Sequence, residues 1–332
     1  MGSSSRNRRH VLGVAALTLL ILCGGLLLAQ GAGDALNARI SITALVNDDG
    51  WDRALRAPSA LFFDERSGEL FVADAGNNRV LVLDRNLGPR YSFLHFVPEY
   101  GTGRPIKGEP RDLVVNSRGE ILLIDNHAEF VDVLDFRGTP VDRIMLDRLQ
   151  GDTSLTIRPQ TIAIGPDDYL YIGTAGDVVG VFILDPDFRI VRVIGQSSAD
   201  VRPFQTIMAV AVYDSILYVT DLHAEPAVKL FTLDGRYLSG FAKHDVDRAD
   251  LSFPSGIAVM TDESGQKTIW ITDGLRQTVK VYYHDGAFLA FVGGFGVKPG
   301  EFRYPADIAA SGDSLFYILE RTGGRISRFV ID

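Results

Sequence analysis

An internal repeat limits what this chain can become more than any other feature of it. A proline, an apolar run, a turn and a second apolar run ending in an acid first appear between Pro58 and Asp74. The pattern returns as EPRDLVVNSRGEILLID (109–125), RPQTIAIGPDDYLYIGT (158–174), FPSGIAVMTDESGQKTIWITD (253–273) and YPADIAASGDSLFYILE (304–320). A further copy, QTIMAVAVYDSILYVTD (205–221), lacks proline at the matching point. Six copies spaced about fifty residues apart fill the chain from residue 58 to its end, and a period of that length is the mark of a repeat architecture.

Each copy continues in the same way. A short polar loop leads to a third apolar run at 79–84, 130–135, 179–184, 228–233, 278–283 and 325–330. A turn such as LDGR (233–236) or HDGA (284–287) follows, then a fourth run at 91–97, 141–147, 190–195, 237–242 and 288–293. Asp-Gly between apolar runs is a hairpin signal. Four short antiparallel strands per copy make a blade, so the expected fold is all-β, a six-bladed β-propeller of four-stranded antiparallel blades. The last copy ends after its third run, and RISITALV (39–46) precedes the first proline. That N-terminal strand is expected to complete the last blade, which would remove the open edges of the ring. Runs such as LLI (122–124) are apolar on both faces, as strands sandwiched between neighbouring blades must be.

The pattern resembles the NHL-repeat family of six-bladed propellers. The likeness is carried by LFVADAGNNRV (70–80), PSGIAV (254–259) and GGFGVKPGEFRYP (293–305), and it extends over residues 39–332. The third and fourth copies depart from it, with Thr174 where an acid is expected and no Asn-Asn-Arg. The resemblance implies the fold. Because such propellers host binding modules as well as enzymes, function must be argued from sites.

The N-terminus reads as a separate element. Val11 to Ala29 is an uncharged run of nineteen residues preceded by Arg6, Arg8 and Arg9, long enough for one apolar helix across a bilayer with the arginines in the cytoplasm. A cleaved signal peptide has the same order of regions, with Ala29-Gln30-Gly31 as a cleavage site. Residues 1–30 are therefore expected to be a signal peptide or a single transmembrane anchor, 31–38 a linker, and 39–332 an extracytoplasmic propeller of the cell envelope, anchored or secreted. Cys23 is the only cysteine, so no intrachain disulfide can form and the domain must rely on its core. At 46% hydrophobic the chain can build a large one. No Asn-x-Ser/Thr sequon occurs, in keeping with a bacterial envelope.

Beyond residue 30 the chain carries 30 basic and 42 acidic residues, a net charge of −12. Such a surface repels nucleic acid. The RNA binding known in the family is therefore not expected here, and the partner is expected to be a protein or an acidic ligand on the loop face.

Within the propeller, Asp74, Asp125, Asp221 and Asp273, with Glu320, end the second run of their copies. Sameness across copies points to a structural role, each acid accepting backbone N–H groups in its own turn, with Gly76, Asn77 and Asn78 providing left-handed backbone. His127 and His223 share a face, whereas His95, His244 and His284 are expected to lie far from them. Amidating-lyase propellers hold zinc on three histidines, and two is one short. Lactonase-like propellers hold a divalent cation on channel oxygens. The channel positions here are Ala60, Asp112, Thr161, Met208, Gly256 and Asp307, so Asp112 and Asp307 are weak metal candidates and no cofactor is expected. No nucleophile elbow is present. Arg56, Arg104, Arg111, Arg158, Arg202 and Arg303 lie near the loops entering the first strands. If they converge, they form a basic mouth in an acidic body, suited to carboxylate or phosphate. The expected function is a non-catalytic interaction scaffold, with a metal-dependent lactonase-like or lyase-like enzyme as the alternative.

Overall fold

The structure, a computed structural model, describes residues 32–51, 53–99, 101–195, 204–261, 265–312 and 314–331. Six four-stranded antiparallel sheets account for nearly all its strands. Blade 1 is Ala60–Asp64, Glu69–Asp74, Arg79–Asp84 and Pro89–Leu94, and blade 2 is Pro110–Val115, Ile121–Asp125, Val131–Leu134 and Pro140–Ile144. Blade 3 is Ile157–Ile164, Leu170–Gly176, Val181–Leu184 and Ile190–Ile194; blade 4 is Ile207–Tyr213, Ile216–Asp221, Val228–Thr232 and Tyr237–Phe241. Blade 5 is Pro254–Thr261, Lys267–Asp273, Thr278–Tyr283 and Phe288–Val292. In blade 6, Pro305–Ser311, Leu315–Glu320 and Arg325–Ile331 are joined by Ile40–Val46. That strand runs antiparallel to the last, from Ile40 opposite Ile331 to Val46 opposite Ile326. The ring is thus closed by the N-terminal strand. The inner strands of neighbouring blades pack side by side all the way round, Pro305–Ser311 meeting Ala60–Asp64 at the closure.

The apolar runs bury both faces because a core lies at every junction. Six clusters occur, one between each pair of neighbouring blades. Trp270 of blade 5, fully buried, meets Phe316 of blade 6 at 4.9 Å between ring centroids. Each large side chain so buried contributes about 1.5–3 kcal/mol, and no blade can bury its faces alone.

The signal peptide or anchor expected at residues 1–30 lies outside the described residues. Among those described, no helix is long and apolar enough to cross a membrane. Residues 32–39 are helical, and Asn37 Nδ2 donates to Phe291 O on the outer strand of blade 5 at 3.3 Å. Between blades 1 and 2 the linker forms a small hairpin, Phe96–Pro98 with Pro105–Lys107.

The second-strand acids are buried, but they do not serve only their own turns. Asp74 accepts from Arg56 N at 2.8 Å, Asp221 from Gln205 N and Thr206 N, Asp273 from Ser252 N and Phe253 N, and Glu320 from Arg303 N. Each of these amides belongs to the linker entering the same blade's inner strand. The carboxylate fastens the linker to the sheet, where the chain turns and its N–H groups have no ladder partner. Asp125 accepts from His127 N at 2.8 Å in its own turn and from the backbone N–H of Glu109 in its linker.

Four of these acids also meet a buried cation of the third strand: Asp74 with Arg79 at 2.7 Å, Asp221 with Lys229 at 2.9 Å, Asp273 with Lys280 at 3.7 Å, and Glu320 with Arg325 at 2.5 Å. Burial lowers the Lys280 ammonium to about 8, with Asp273 countering. Blade 3 carries the uncharged Thr174 instead, bonded to Val178 O and Gly180 O.

The knot at 74–79 shows why the repeat needs its turn residues. Asn78 is left-handed at φ 57°, a region asparagine tolerates, and its Nδ2 donates to Gly108 O at 2.7 Å. Asn77 Nδ2 reaches Ala54 O and Asp74. Gly76 is required for closeness, not handedness: a Cβ there would lie 2.6 Å from Arg56 O.

Candidate functional site: the mouth of the central channel

The six inner strands surround a channel of about 700 Å³. How side chains reach it follows from a local irregularity. In blades 2 to 6 the pairing of the inner strand slips by one residue, between Pro110 and Asp112, Pro159 and Thr161, Ile207 and Ala209, Pro254 and Gly256, and Pro305 and Asp307. Such a bulge leaves one residue unpaired and redirects its side chain. The skipped residues are Arg111, Gln160, Met208, Ser255 and Ala306, and all line the channel. Proline before four of these bulges fits the geometry, since it has no N–H to give the ladder.

Arg111 is held in place at the mouth. Its Nε donates to Gln160 O at 2.7 Å and its Nη1 to Asn126 Oδ1 at 3.0 Å. Burial holds its pKa below the usual guanidinium range, and the charge of Arg321, from the loop after the second strand of blade 6, adds to that lowering. The Arg321 backbone N–H donates to Tyr304 O at 2.9 Å, and its side chain lines the channel. Beside it Tyr304, left-handed at φ 61°, tilts against Phe253 at 5.9 Å. Burial raises the Tyr304 hydroxyl, with Arg321 countering.

Below the mouth stand the two channel aspartates. Asp112 Oδ2 accepts from Ile162 N of blade 3 at 2.9 Å and its Oδ1 from Leu113 N at 2.8 Å. Asp307 Oδ2 accepts from Leu61 N of blade 1 at 2.7 Å and its Oδ1 from Ile308 N at 2.8 Å. Each carboxyl therefore staples its blade to the next across a junction. Burial raises the Asp112 pKa to about 6, against its amide bonds, and Asp307 is raised further because Asp112 adds its charge to the burial. Gly256 lies under Asp307: a Cβ there would fall 2.7 Å from the Asp307 Cα. Further along the inner strands the lining includes the partly exposed Phe62, Ile164 and Val212.

The other sequence candidates fall elsewhere. Arg56 and Arg303 are exposed and hold the second-strand acids through their backbone N–H groups. Arg158 is exposed and pairs with Glu129 at 3.3 Å, Arg104 sits in the linker hairpin, and Arg202 lies outside the described residues. His127 is half-exposed beside Glu109 at 3.5 Å. His223 bonds Thr206 Oγ1 at 3.0 Å and stacks on His244 at 6.0 Å, so His244 is not remote from it: the linker after blade 4 folds back over the loop carrying His223. His95 is buried with its Nε2 3.4 Å from Asp125 and 3.5 Å from Asp132. Among the described residues no three His, Cys, Asp or Glu side chains are placed to hold a metal ion together.

The sequence reading missed Arg321, whose position one residue after the blade acid Glu320 was the available signal. Asn126 of blade 2, one residue after Asp125, also reaches the mouth.

No family model matches the sequence, and no curated protein sequence matches it. Solved structures do resemble the fold. A putative gluconolactonase superposes with a TM-score of 0.58 at 14% identity, covering 89% of this chain and 92% of the other. Virginiamycin B lyase from Staphylococcus aureus gives 0.55 at 12% identity, covering 88% and 100%. A protein of unknown function from Bacteroides thetaiotaomicron gives 0.56 at 17% identity, covering 88% and 76%. At these identities the likeness is one of fold: the chain is a six-bladed β-propeller with four-stranded antiparallel blades.

Proposed function

We propose that this protein is a non-catalytic binding module that captures an anionic partner or ligand at the channel mouth on its loop face. The observation that carries the reading is the convergence of Arg111 and Arg321 on one mouth, close enough for the Arg321 charge to lower the proton affinity of Arg111 beyond what burial does, in a body of net charge −12. Two guanidiniums brought together are relieved by an anion, and a guanidinium pairs with a carboxylate or phosphate through two parallel bonds. The channel acids support binding over chemistry, because both carboxylates are engaged with backbone amides. The NHL-like repeat and the N-terminal segment extend the reading. The module is an NHL-type propeller in the cell envelope, anchored through residues 11–29 or released after cleavage.

The test uses a fluorescent oligo-glutamate peptide at low salt. The wild-type chain should bind it, and binding should fall at least tenfold when Arg111 and Arg321 are both changed to Glu. Equal binding by the double variant refutes the reading.

A further inference from the structure

We propose that the channel takes a carboxylate carried on an apolar stem, the carboxylate held by Arg111 and Arg321 and the stem lying between the hydrophobic inner strands. The inference rests on the mouth reading above and names the class of ligand.

Three observations carry it. First, the space has the dimensions of a small-molecule site: about 700 Å³, within the usual range of roughly 300–1,000 Å³. Second, the lining changes character with depth. Arg111, Arg321, Asn126 and Tyr304 are drawn from the strand starts and loops of the mouth, whereas the partly exposed apolar residues Phe62, Ile164 and Val212 line the channel further along the inner strands. A wholly polar anion would satisfy the mouth and leave these walls against water. Third, an incoming carboxylate meets less negative charge on the way down than two free aspartates would present. Each accepts two backbone N–H groups, and burial favours their protonated forms. A protonated carboxyl is a hydrogen-bond donor, so Asp307 can face a carbonyl or carboxylate oxygen without an unpaired charge between them.

Two sources offer this chemistry: a small organic acid and the C-terminal carboxylate of a polypeptide ending in an apolar residue. Calorimetric titration of the full chain with acetate, butyrate, hexanoate and octanoate reads the stem directly. Burying methylenes strengthens binding by roughly fourfold each, so octanoate should bind at least a hundredfold more tightly than acetate. A short peptide ending in Leu-Leu, as acid and as C-terminal amide, supplies the second arm. Octanoate binding with no preference between these peptides identifies a small acid, and tight binding of the peptide acid lost in its amide identifies a polypeptide terminus. Either supports the proposal. Met208→Trp, which projects bulk into the channel from its bulge, should abolish the gain with chain length while the melting temperature stays unchanged. Affinity independent of stem length overturns the proposal while leaving the mouth reading intact, and so does oligo-glutamate binding without binding of any monocarboxylate. Loss of all anion binding in the wild type overturns both.

Discussion

Asp273 and Asp307 are the same residue in neighbouring blades, and the fold puts them to different uses. Asp273 ends a second strand, is fully buried, holds two linker amides and lies 3.7 Å from the Lys280 ammonium. Asp307 sits on an inner strand, faces the channel, and holds two amides with no cation beside it. The first kind recurs with a charged partner in four blades and belongs to the scaffold. The second kind occurs in blades 2 and 6 only, where burial outweighs the bonds and charges that oppose it and the proton affinity rises. A repeated acid with a fixed partner is architecture; an acid without one, in a cavity, is material for recognition.

Blade 2 breaks the first pattern. Its third-strand residue Asp132 sits opposite Leu123, the register that Lys229 and Lys280 hold opposite Val219 and Ile271. An acid thus stands where blades 4 and 5 place an ammonium. The linker supplies His95 instead, and His95 Nε2, Asp125 Oδ2 and Asp132 Oδ2 are all buried without a hydrogen-bond partner. Burial pushes His95 down to about 4, aided by Arg143, and raises both aspartates. Asp132 bonds Arg143 Nε at 2.8 Å.

The comparison can be broken most forcefully at Asp273. Asp273→Asn strands Lys280 in the core and should cost about 3–5 kcal/mol in chemical denaturation. Asp307→Asn loses one of two amide bonds in a place open to the channel and should cost about 1–2 kcal/mol. Equal costs would erase the distinction between the two acids. A smaller effect of opposite sign is expected in blade 2. Asp132→Lys restores the arrangement of blades 4 and 5 and should stabilise the chain by about 1 kcal/mol; destabilisation would show that His95 already completes this junction.

The smallest effect is a change of slope with pH. Because Asp112 is raised in the folded state, its contribution to stability is complete below its unfolded value of 3.8 and is lost as pH rises through about 6. Stability curves of the wild type and Asp112→Asn should therefore converge in slope above pH 6 and differ in slope between 3.8 and 6, the wild type falling more steeply as pH rises. Parallel curves across that window would show that Asp112 does not titrate there.

Much of this molecule was legible from the sequence because a propeller repeats its physics. Every blade needs two faces apolar, a turn after the second strand and an acid to hold the linker, so the period survives even where proline or the acid is lost, as at 205–221 and Thr174. The missing fourth strand of the last copy located its own replacement at 39–46. The partners of the acids were less legible. Lys280 and Asp273 are separated by a loop and a register, and the amides of Ser252 and Phe253 lie twenty residues upstream.

The channel mouth was decided by tertiary structure alone. Among Arg56, Arg111, Arg158 and Arg303 the sequence offers no distinction, since all lie near loops entering inner strands. A bulge sends Arg111 inward, whereas Arg158 pairs with Glu129 outside. Arg321 meets Arg111 only because ring closure brings blade 6 round to blades 1 and 2. Local pattern determines which strands form and how they pair, because it acts through neighbouring residues. Which side chains converge depends on closure of the ring, which joins residues more than two hundred positions apart.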